Sequence, residues 1–347
     1  MPDGSAGRRA DFGGEYGQAR RTRLVATSTV IIPLHRRTPA FERCVERAVA
    51  VAGSEHAVLV VSDRDPGPLP DGAELVLTGS RSSTSPAEKR DVALERVDTD
   101  VCAFLDDDAY PADDWLEIGL ARLATDPAIA AVGGPGVTPP GSPWRERVAG
   151  AFYESPFGSG GLSFRFRPVG PVRDVDDLPA YNLLVRTDAL RSIGGWNSKL
   201  YGGEDTMTCL ALVEAGHRIV YDPGVVVFHF RRPILMPLLH QVGNVGRHRG
   251  HFARVLPATS RRPLYFAPTI GVAAAAGLCL CALKSRRART LGLAGGTAAW
   301  AVIARRALED GCEPATAAVL PGVVAATHGA YGIQFARGFV TPSIEEM

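Results

Sequence analysis

The sequence predicts an α/β domain with a mostly parallel central sheet, followed by a helical C-terminal region suited to a membrane. Three observations carry that prediction. Up to Phe230, short apolar or β-branched runs alternate with segments of helical period. One of those runs, Val101-Cys-Ala-Phe-Leu105, stops abruptly at three aspartates, as a buried strand does where it opens into a loop. Beyond Phe230 the charge balance inverts. Met1 to Phe230 holds 24 Lys+Arg against 32 Asp+Glu, whereas Arg231 to Leu308 holds 13 Lys+Arg and no acid.

The elements follow in order. Met1 to Arg23, rich in Gly and Arg without apolar period, reads as a disordered tail, and order is expected from Leu24. Ser28 to Pro33 is a β-branched strand. Pro39 to Ala52 is a helix, because Phe41, Val45, Ala48, Val49 and Ala52 fall on one face. Strands at Ala57 to Val61 and Leu75 to Thr78 follow, then a helix from Pro86 to Val97 with proline in its first turn. After Val101 to Leu105 come a helix at Trp115 to Ala124 and a strand at Ile129 to Val132. Thr138 to Asp177, rich in Gly, Pro and Phe, reads as a long functional loop region. The remaining elements are a strand at Tyr181 to Val185, helices at Thr187 to Ile193 and Thr206 to Ala215, and strands at Ile219 to Tyr221 and Val225 to Phe230.

The composition excludes whole classes. With 347 residues, 46% hydrophobic and 22% charged, the chain is not disordered throughout. Its six scattered cysteines include no Cys-x-x-Cys pair, which argues against a disulfide scaffold or a zinc site and for a reducing compartment. The acid-free stretch calls for an anionic partner, either nucleic acid or phospholipid. Its neighbours decide for lipid: Leu264 to Leu283, Thr290 to Ala304 and Pro314 to Ala336 are uncharged runs of 20, 15 and 23 residues. Leu235, Leu238, Leu239 and Val242 are spaced for a helix lying on a bilayer, with Arg247, His248, Arg249, His251 and Arg254 reaching headgroups. The expected division is therefore a tail at 1–23, a globular domain at 24–232, a basic amphipathic interfacial linker at 233–262 and a membrane region at 263–347 with two or three hydrophobic helices. No apolar stretch precedes Leu24, so no signal peptide is expected and the globular part is expected in the cytosol.

Three constellations can do chemistry. Asp106 and Asp108, two residues apart on an extended backbone, point the same way and can share a divalent ion and a pyrophosphate, while Asp107 faces away. In Gly202-Gly203-Glu204-Asp205 the glycines permit close approach, and a carboxylate opening a helix can accept a proton from a substrate hydroxyl. His229 lies in the run Val225 to Phe230, where a histidine by itself is more often a satisfied core residue than a ligand. In an α/β sheet His35, Asp63 and the triplet would gather at the carboxyl edge.

Taken in order, Phe104-Leu-Asp-Asp-Asp-Ala-Tyr-Pro-Ala-Asp-Asp-Trp-Leu116, Gly194-Gly-Trp-Asn197 with Gly202-Gly-Glu-Asp205, and Phe228-His229 resemble the successive motifs of family 2 glycosyltransferases with the GT-A fold, a Rossmann-like architecture. The resemblance spans Val30 to Arg232. Through Gly133-Gly-Pro135, Gly243-Asn-Val-Gly-Arg247 and His328-Gly-Ala-Tyr-Gly332 the later chain resembles membrane-attached bacterial transferases of the exopolysaccharide, succinoglycan-type branch. The resemblance implies that Asp106 and Asp108 form the DxD element. Asp108 and His229 would bind Mg2+ or Mn2+, and Asp106 the metal shell or the nucleotide ribose. Asp205 would be the base that deprotonates the acceptor. Pro33, His35, Asp63, Lys89, Arg90 and Asp107 would line the nucleotide-sugar, with Asp63 reading the base and Lys89 or Arg90 meeting the nucleotide. Asn182, Glu204 and Trp196 would lie toward the acceptor. Ser62-Asp63-Arg64-Asp65 departs from the family's two acids followed by Gly-Ser, which leaves the nucleotide preference open.

The function these readings imply is inverting sugar transfer from a nucleotide-diphosphate donor to a lipid-linked or glycan acceptor. It would occur at the cytosolic face of a membrane with anionic lipids and without nucleic acid. Two other readings compete: a non-catalytic nucleotide-sugar-binding scaffold of a polysaccharide assembly complex, and a metal-dependent phosphohydrolase with Asp106 as nucleophile.

Overall fold

The computed structural model describes residues 26–196 and 203–341, so the expected tail, Leu24, Asn197 and Gly202 lie outside the described residues. Eleven strands occur among the described residues: β1 (Ser28–Leu34), β2 (Ala57–Ser62), β3 (Ala73–Leu77), β4 (Val101–Leu105), β5 (Ala109–Pro111), β6 (Ile129–Gly133), β7 (Gly136–Val137), β8 (Arg173–Val175), β9 (Asn182–Arg186), β10 (Arg218–Tyr221) and β11 (Val227–His229). Helices α1 (Pro39–Ala52), α2 (Pro86–Leu94), α3 (Trp115–Ala124), α4 (Trp144–Glu154), the single turn α5 (Pro156–Ser159), α6 (Thr187–Ser192) and α7 (Glu204–Glu214) intersperse them. Beyond β11 come α8 (Met236–Val255), the short α9 (Pro257–Ser260), α10 (Pro263–Lys284), α11 (Arg286–Glu309) and α12 (Pro314–Val340).

Local chemistry accounts for the sharpest boundaries. Thr38 caps α1 by accepting the Phe41 amide, with Pro39 in the first turn. Ser85 and Glu88 form a reciprocal capping box at the start of α2, which ends at Leu94, three residues short of expectation. The main sheet runs β3-β2-β1-β4-β9-β6-β10-β8. Its strands are parallel except β9 and β8, each antiparallel to its neighbours. Both faces are covered. Val30, Ile32 and Leu34 of β1 pack with Phe41 and Trp115 on one side, and Ile31 joins Phe104, Leu183 and Tyr221 on the other. Burial on two faces is why these strands read as continuous apolar runs.

The expected loop from Thr138 to Asp177 is corrected by α4, α5 and β8. Its aromatic residues are packing groups: Phe152 is 2% exposed, and Phe164 meets Tyr221 edge to face at 5.0 Å. Gly and Pro suggested irregularity, but the helical face of α4 is buried by a distant partner, α12.

The linker reading is corrected as well. The helix α8 exists, yet Leu238 and Val242 are buried in protein beside Leu320 and Val324 of α12. Arg249 is bonded to Asp177 and Ser260, and His251 and Arg254 reach the Thr341 carbonyl. Glycines allow the two helices to touch backbone to backbone. A methyl group on Gly246, Gly250 or Gly338 would lie 2.6, 2.0 or 1.9 Å from the carbonyl oxygen of Tyr331, Phe335 or Arg247. Among the described residues one helix, α10, is long and apolar enough to cross a membrane, with mean hydropathy 2.0 in its most apolar window and none of that window buried. The third expected segment, α12, buries Leu320, Val324 and Phe335 against protein.

The glycine seam predicts opposite signs for one substitution at two places. Gly250→Ala is expected to destabilise by about 1–3 kcal/mol through overpacking. Gly271→Ala in α10, where the added methyl meets nothing within 4 Å, is expected to be neutral or stabilising by up to ~1 kcal/mol. Thermal unfolding of the full chain in detergent reads both, and equal shifts would contradict the seam.

Candidate active site

The acidic triplet sits where the parallel edge of the sheet opens. β4 is fully buried to Leu105, and the chain then turns, with the Ala109 amide donating to the Asp106 carbonyl at 3.0 Å, into β5. A second, three-stranded sheet, β5-β11-β7, crosses this edge. Its antiparallel register sets His229 against Ala109, and the Phe230 amide donates to the Asp108 carbonyl at 2.9 Å. That register delivers a residue 121 positions away to the acids. Nε2 of His229 lies 3.2 Å from Oδ1 of Asp108, and ligand atoms of Asp106, Asp108 and His229 all lie within 4.8 Å of one another. Two carboxylates and an imidazole at this separation fit a six-coordinate divalent cation that keeps positions for substrate oxygens.

Cations of the protein already surround the acids. Nη2 of Arg90 donates to Oδ1 of Asp106 at 2.7 Å, and its Nη1 lies 3.6 Å from Glu204. The guanidinium rests 4.5 Å over the Trp196 ring. Arg232 donates to Oδ2 of Asp108 at 3.1 Å. Burial pushes the Asp106 carboxyl up in spite of Arg90. Burial would raise Asp108 too, but His229 and Arg232 hold it below the usual carboxylate range. Asp107, which accepts the His35 amide at 3.0 Å, is pushed by burial up to about 6.

Asp205 stands in the first turn of α7, where Oδ2 accepts the Ala180 amide at 3.2 Å. Burial raises its pKa, Arg90 opposes this, and the negative charges of Asp106 and Asp177 add to it. A carboxylate with a raised pKa is a stronger proton acceptor than an ordinary one. Gly203 precedes it with φ 88°, and a methyl group there would lie 2.3 Å from the Phe252 ring of α8. Close approach to the C-terminal helices, rather than to a ligand, explains that glycine.

Several expected site residues have other work. Asn182 is fully buried: it accepts from Trp115 Nε1 at 2.7 Å and donates to the Pro135 and Val225 carbonyls. It ties β9 to the two sheets. Trp196, 2% exposed, is the platform for Arg90 and packs edge to face on Phe104 at 5.0 Å. Glu204, 6% exposed, serves Arg90 from the other side. Asp63 accepts from Lys89, from Thr78 and twice from Thr84. Against burial, those bonds take it down to about 2. Lys89, 2% exposed, is spent on Asp63 and the Thr84 carbonyl. The pair therefore shapes the loop after β3. Pro33 is buried within β1, opposite Val61, and His35 just beyond it is exposed.

Sequence reasoning missed the shell. Tyr181 lies against His229 with ring centroids 4.6 Å apart, and Arg231 reaches Nδ1 of His229 at 3.3 Å. The adjacency of Arg231-Arg232 to Phe228-His229 was the available signal. It also missed the ion cluster of Asp177 with Arg165 at 3.2 Å and Arg249 at 3.0 Å, which bolts α8 to the globular domain. A cavity of about 310 Å3 adjoins this cluster, lined by Asp205, Thr206 and residues of α4, α8, α10 and α12. Two hollows of about 520 Å3 lie apart from the acidic triplet, one between Asp177, Arg218 and Arg262 and one at the surface around Arg37 and Glu46.

Residues 29–172 match the family described as Glycosyl transferase family 2. Pre-mycofactocin glycosyltransferases of Mycobacterium tuberculosis strains CDC 1551 and H37Rv are each 32% identical over 214 residues, 59% of this chain and 43% of the relative. The chain thus spans less than half the length of those relatives. A mannosyltransferase from Pyrobaculum calidifontis, solved with GDP-Man and Mn2+, superposes with a TM-score of 0.55 at 21% identity, covering 88% of this chain and 86% of its own. That coverage extends past β11 into the C-terminal helices. The fold is accordingly GT-A. The motifs that suggested the succinoglycan-type branch have packing reasons of their own: a methyl group on Gly134 would lie 2.1 Å from the Val225 carbonyl oxygen, and one on Gly332 2.8 Å from that of Pro268.

Asp177 yields a pH prediction. Burial would raise it, but Arg165 and Arg249 bring it from 3.8 to about 2 in the folded state. The depressed value means that its stabilisation, ~2 kcal/mol, is complete above about pH 4 and is lost as the pH falls toward 2. Asp177→Asn is expected to lose ~3 kcal/mol at pH 7, because two buried guanidinium groups lose their counter-ion, and to show a shallower acid slope. Urea unfolding of both proteins from pH 7 to pH 3 tests this; parallel curves would refute it.

Proposed function

Starting from a family 2 glycosyltransferase domain at residues 29–172, we propose that the chain is an inverting glycosyltransferase that moves a sugar from a nucleotide-diphosphate donor to an acceptor hydroxyl. The observation that carries this is the convergence of Asp106, Asp108 and His229 beside a separate, buried carboxylate with raised pKa, Asp205. A phosphohydrolase would need Asp106 free as a nucleophile, but Arg90 holds it. A silent scaffold would have no use for a proton acceptor kept apart from the acidic cluster.

Asp106, Asp108 and His229 would hold Mg2+ or Mn2+, the latter in keeping with the solved mannosyltransferase of the same fold. Bound there, the ion offsets the charge that develops on the departing nucleoside diphosphate. Everything else is done by side chains. Arg90, clamped between Trp196, Glu204 and Asp106, fixes the orientation of the first acid. Asp205 takes the proton of the acceptor hydroxyl as that oxygen bonds to the anomeric carbon. The bond to the diphosphate breaks on the opposite face, so the sugar inverts and the electron pair leaves with the nucleotide. No covalent enzyme intermediate is required.

The same reading puts the protein at a membrane with its globular domain on the cytosolic side. Its support is the apolar length and exposure of α10. Lipid-linked and glycan acceptors both fit this location.

The test is nucleoside diphosphate release by the full chain across a panel of nucleotide sugars, with and without Mn2+. Wild type is expected to need the metal. Asp205→Asn is expected to lose ~10²-fold or more in transfer while still binding donor, and Asp108→Ala to need far more metal for any turnover. Undiminished transfer by Asp205→Asn would remove it as the base.

A further inference from the structure

We propose that the cavity between the globular domain and α8, α10 and α12 is the acceptor site, and that it holds the apolar body of a lipid-borne acceptor whose hydroxyl is presented to Asp205. This rests on the glycosyl-transfer reading and narrows it, since a free glycan is the other acceptor class that reading allows. The first ground is position. The cavity, about 310 Å3, has Asp205 in its wall, and the distant helices close it. Tyr265 of α10 and Tyr331 of α12 line it together with Val242, Val245 and Phe252 of α8 and Tyr153 of α4.

The second ground is chemistry. A free sugar needs its ring hydroxyls matched by hydrogen-bonding groups, and unmatched ones are costly once out of water. Here the charged groups in the wall already serve one another: Arg165 and Arg249 are both bound to Asp177. What remains is mostly aromatic and aliphatic surface, of a volume that suits part of a lipid-sized ligand. Three lining residues carry a buried polar atom without a partner, namely Nε of Arg165, Nδ1 of His248 and Oη of Tyr331. Buried polar atoms are ordinarily paired, and a few orphans in an apolar wall suit a ligand with a small polar head on a greasy body.

The third ground is continuity. Tyr265 stands in the first turn of α10, and Leu264 beside it packs near Gly160, just after α5. From there on, the apolar side chains of α10, such as Ile270, Leu278, Leu280 and Leu283, are exposed. The cavity therefore opens at the root of the exposed apolar helix, and an acceptor anchored in a bilayer reaches Asp205 without its tail crossing water.

The test uses the full chain in vesicles of phosphatidylcholine and phosphatidylglycerol. The probe is an alkyl glycoside with a diazirine in its chain, and labelled peptides are mapped after photolysis. Labels are expected on α4, α8 and α12. Excess unlabelled alkyl glycoside should displace them, whereas the free disaccharide and the water-soluble benzyl glycoside should not. Val245→Trp, at a half-exposed position that tolerates bulk, is expected to lower that displaceable label ~tenfold. Tyr331→Phe, which keeps the shape and removes one hydroxyl, is expected to raise the acceptor KM ~tenfold with little change in kcat. Competition by the free disaccharide or the benzyl glycoside as strong as by the alkyl glycoside would overturn the proposal, as would labelling indifferent to Val245→Trp. A failure of the transfer reading looks different: no nucleoside diphosphate is released with any donor, while displaceable labelling persists.

Discussion

Three consecutive carboxylates at the mouth of a buried strand repel one another and lose hydration, and much of the globular domain is arranged around that cost. Arg90 is itself 1% exposed and would be unfavourable there alone. Its ion pair with Asp106, its contact with Glu204 and its seat on Trp196 make one buried unit out of α2, β4 and the start of α7. His229 and Arg232 perform the same service for Asp108 from β11 and the chain beyond it. The result is an acidic cluster held in place before any ligand arrives, which limits reorganisation when charge develops on a leaving group.

That arrangement separates two kinds of carboxylate within one site. Asp108, lowered by His229 and Arg232 against the effect of burial, suits ligation of a hard cation. Asp205, raised by burial and by neighbouring acids, suits proton transfer. Divergent environments let neighbouring carboxylates suit different tasks. The C-terminal helices take part in this division. Phe252 of α8 packs on Gly203, and Arg249 of α8 reaches the Asp177 cluster, whose charge in turn bears on Asp205. The helical region thus forms a wall of the cavity that Asp205 lines.

Local chemistry made much of the fold legible. The α1 boundaries follow from Thr38, Pro39 and its apolar stripe, and β4 from an apolar run ended by acids. The acidic triplet, Asp205 and His229 were legible as an ordered set of motifs, and the structure brings the triplet's outer members together with the histidine. What the sequence could not show was the distant partners: Asn182, Glu204, Lys89 and Asp63 are hydrogen-bonded or ion-paired within the protein, and Trp196 carries Arg90 over its ring. The same holds for α4, whose Gly- and Pro-rich surroundings concealed a helix stabilised by α12.

Sequence by itself determined the period of most strands and helices of the globular domain, the acid-free basic stretch and the apolar length of α10, because these depend on neighbours within a few residues. Tertiary structure alone decided which acid meets which cation, that β11 delivers His229 to Asp108, and that α8 lies glycine to backbone along α12. Those outcomes depend on contacts between segments tens to hundreds of residues apart, and a linear pattern carries no record of which surfaces will meet.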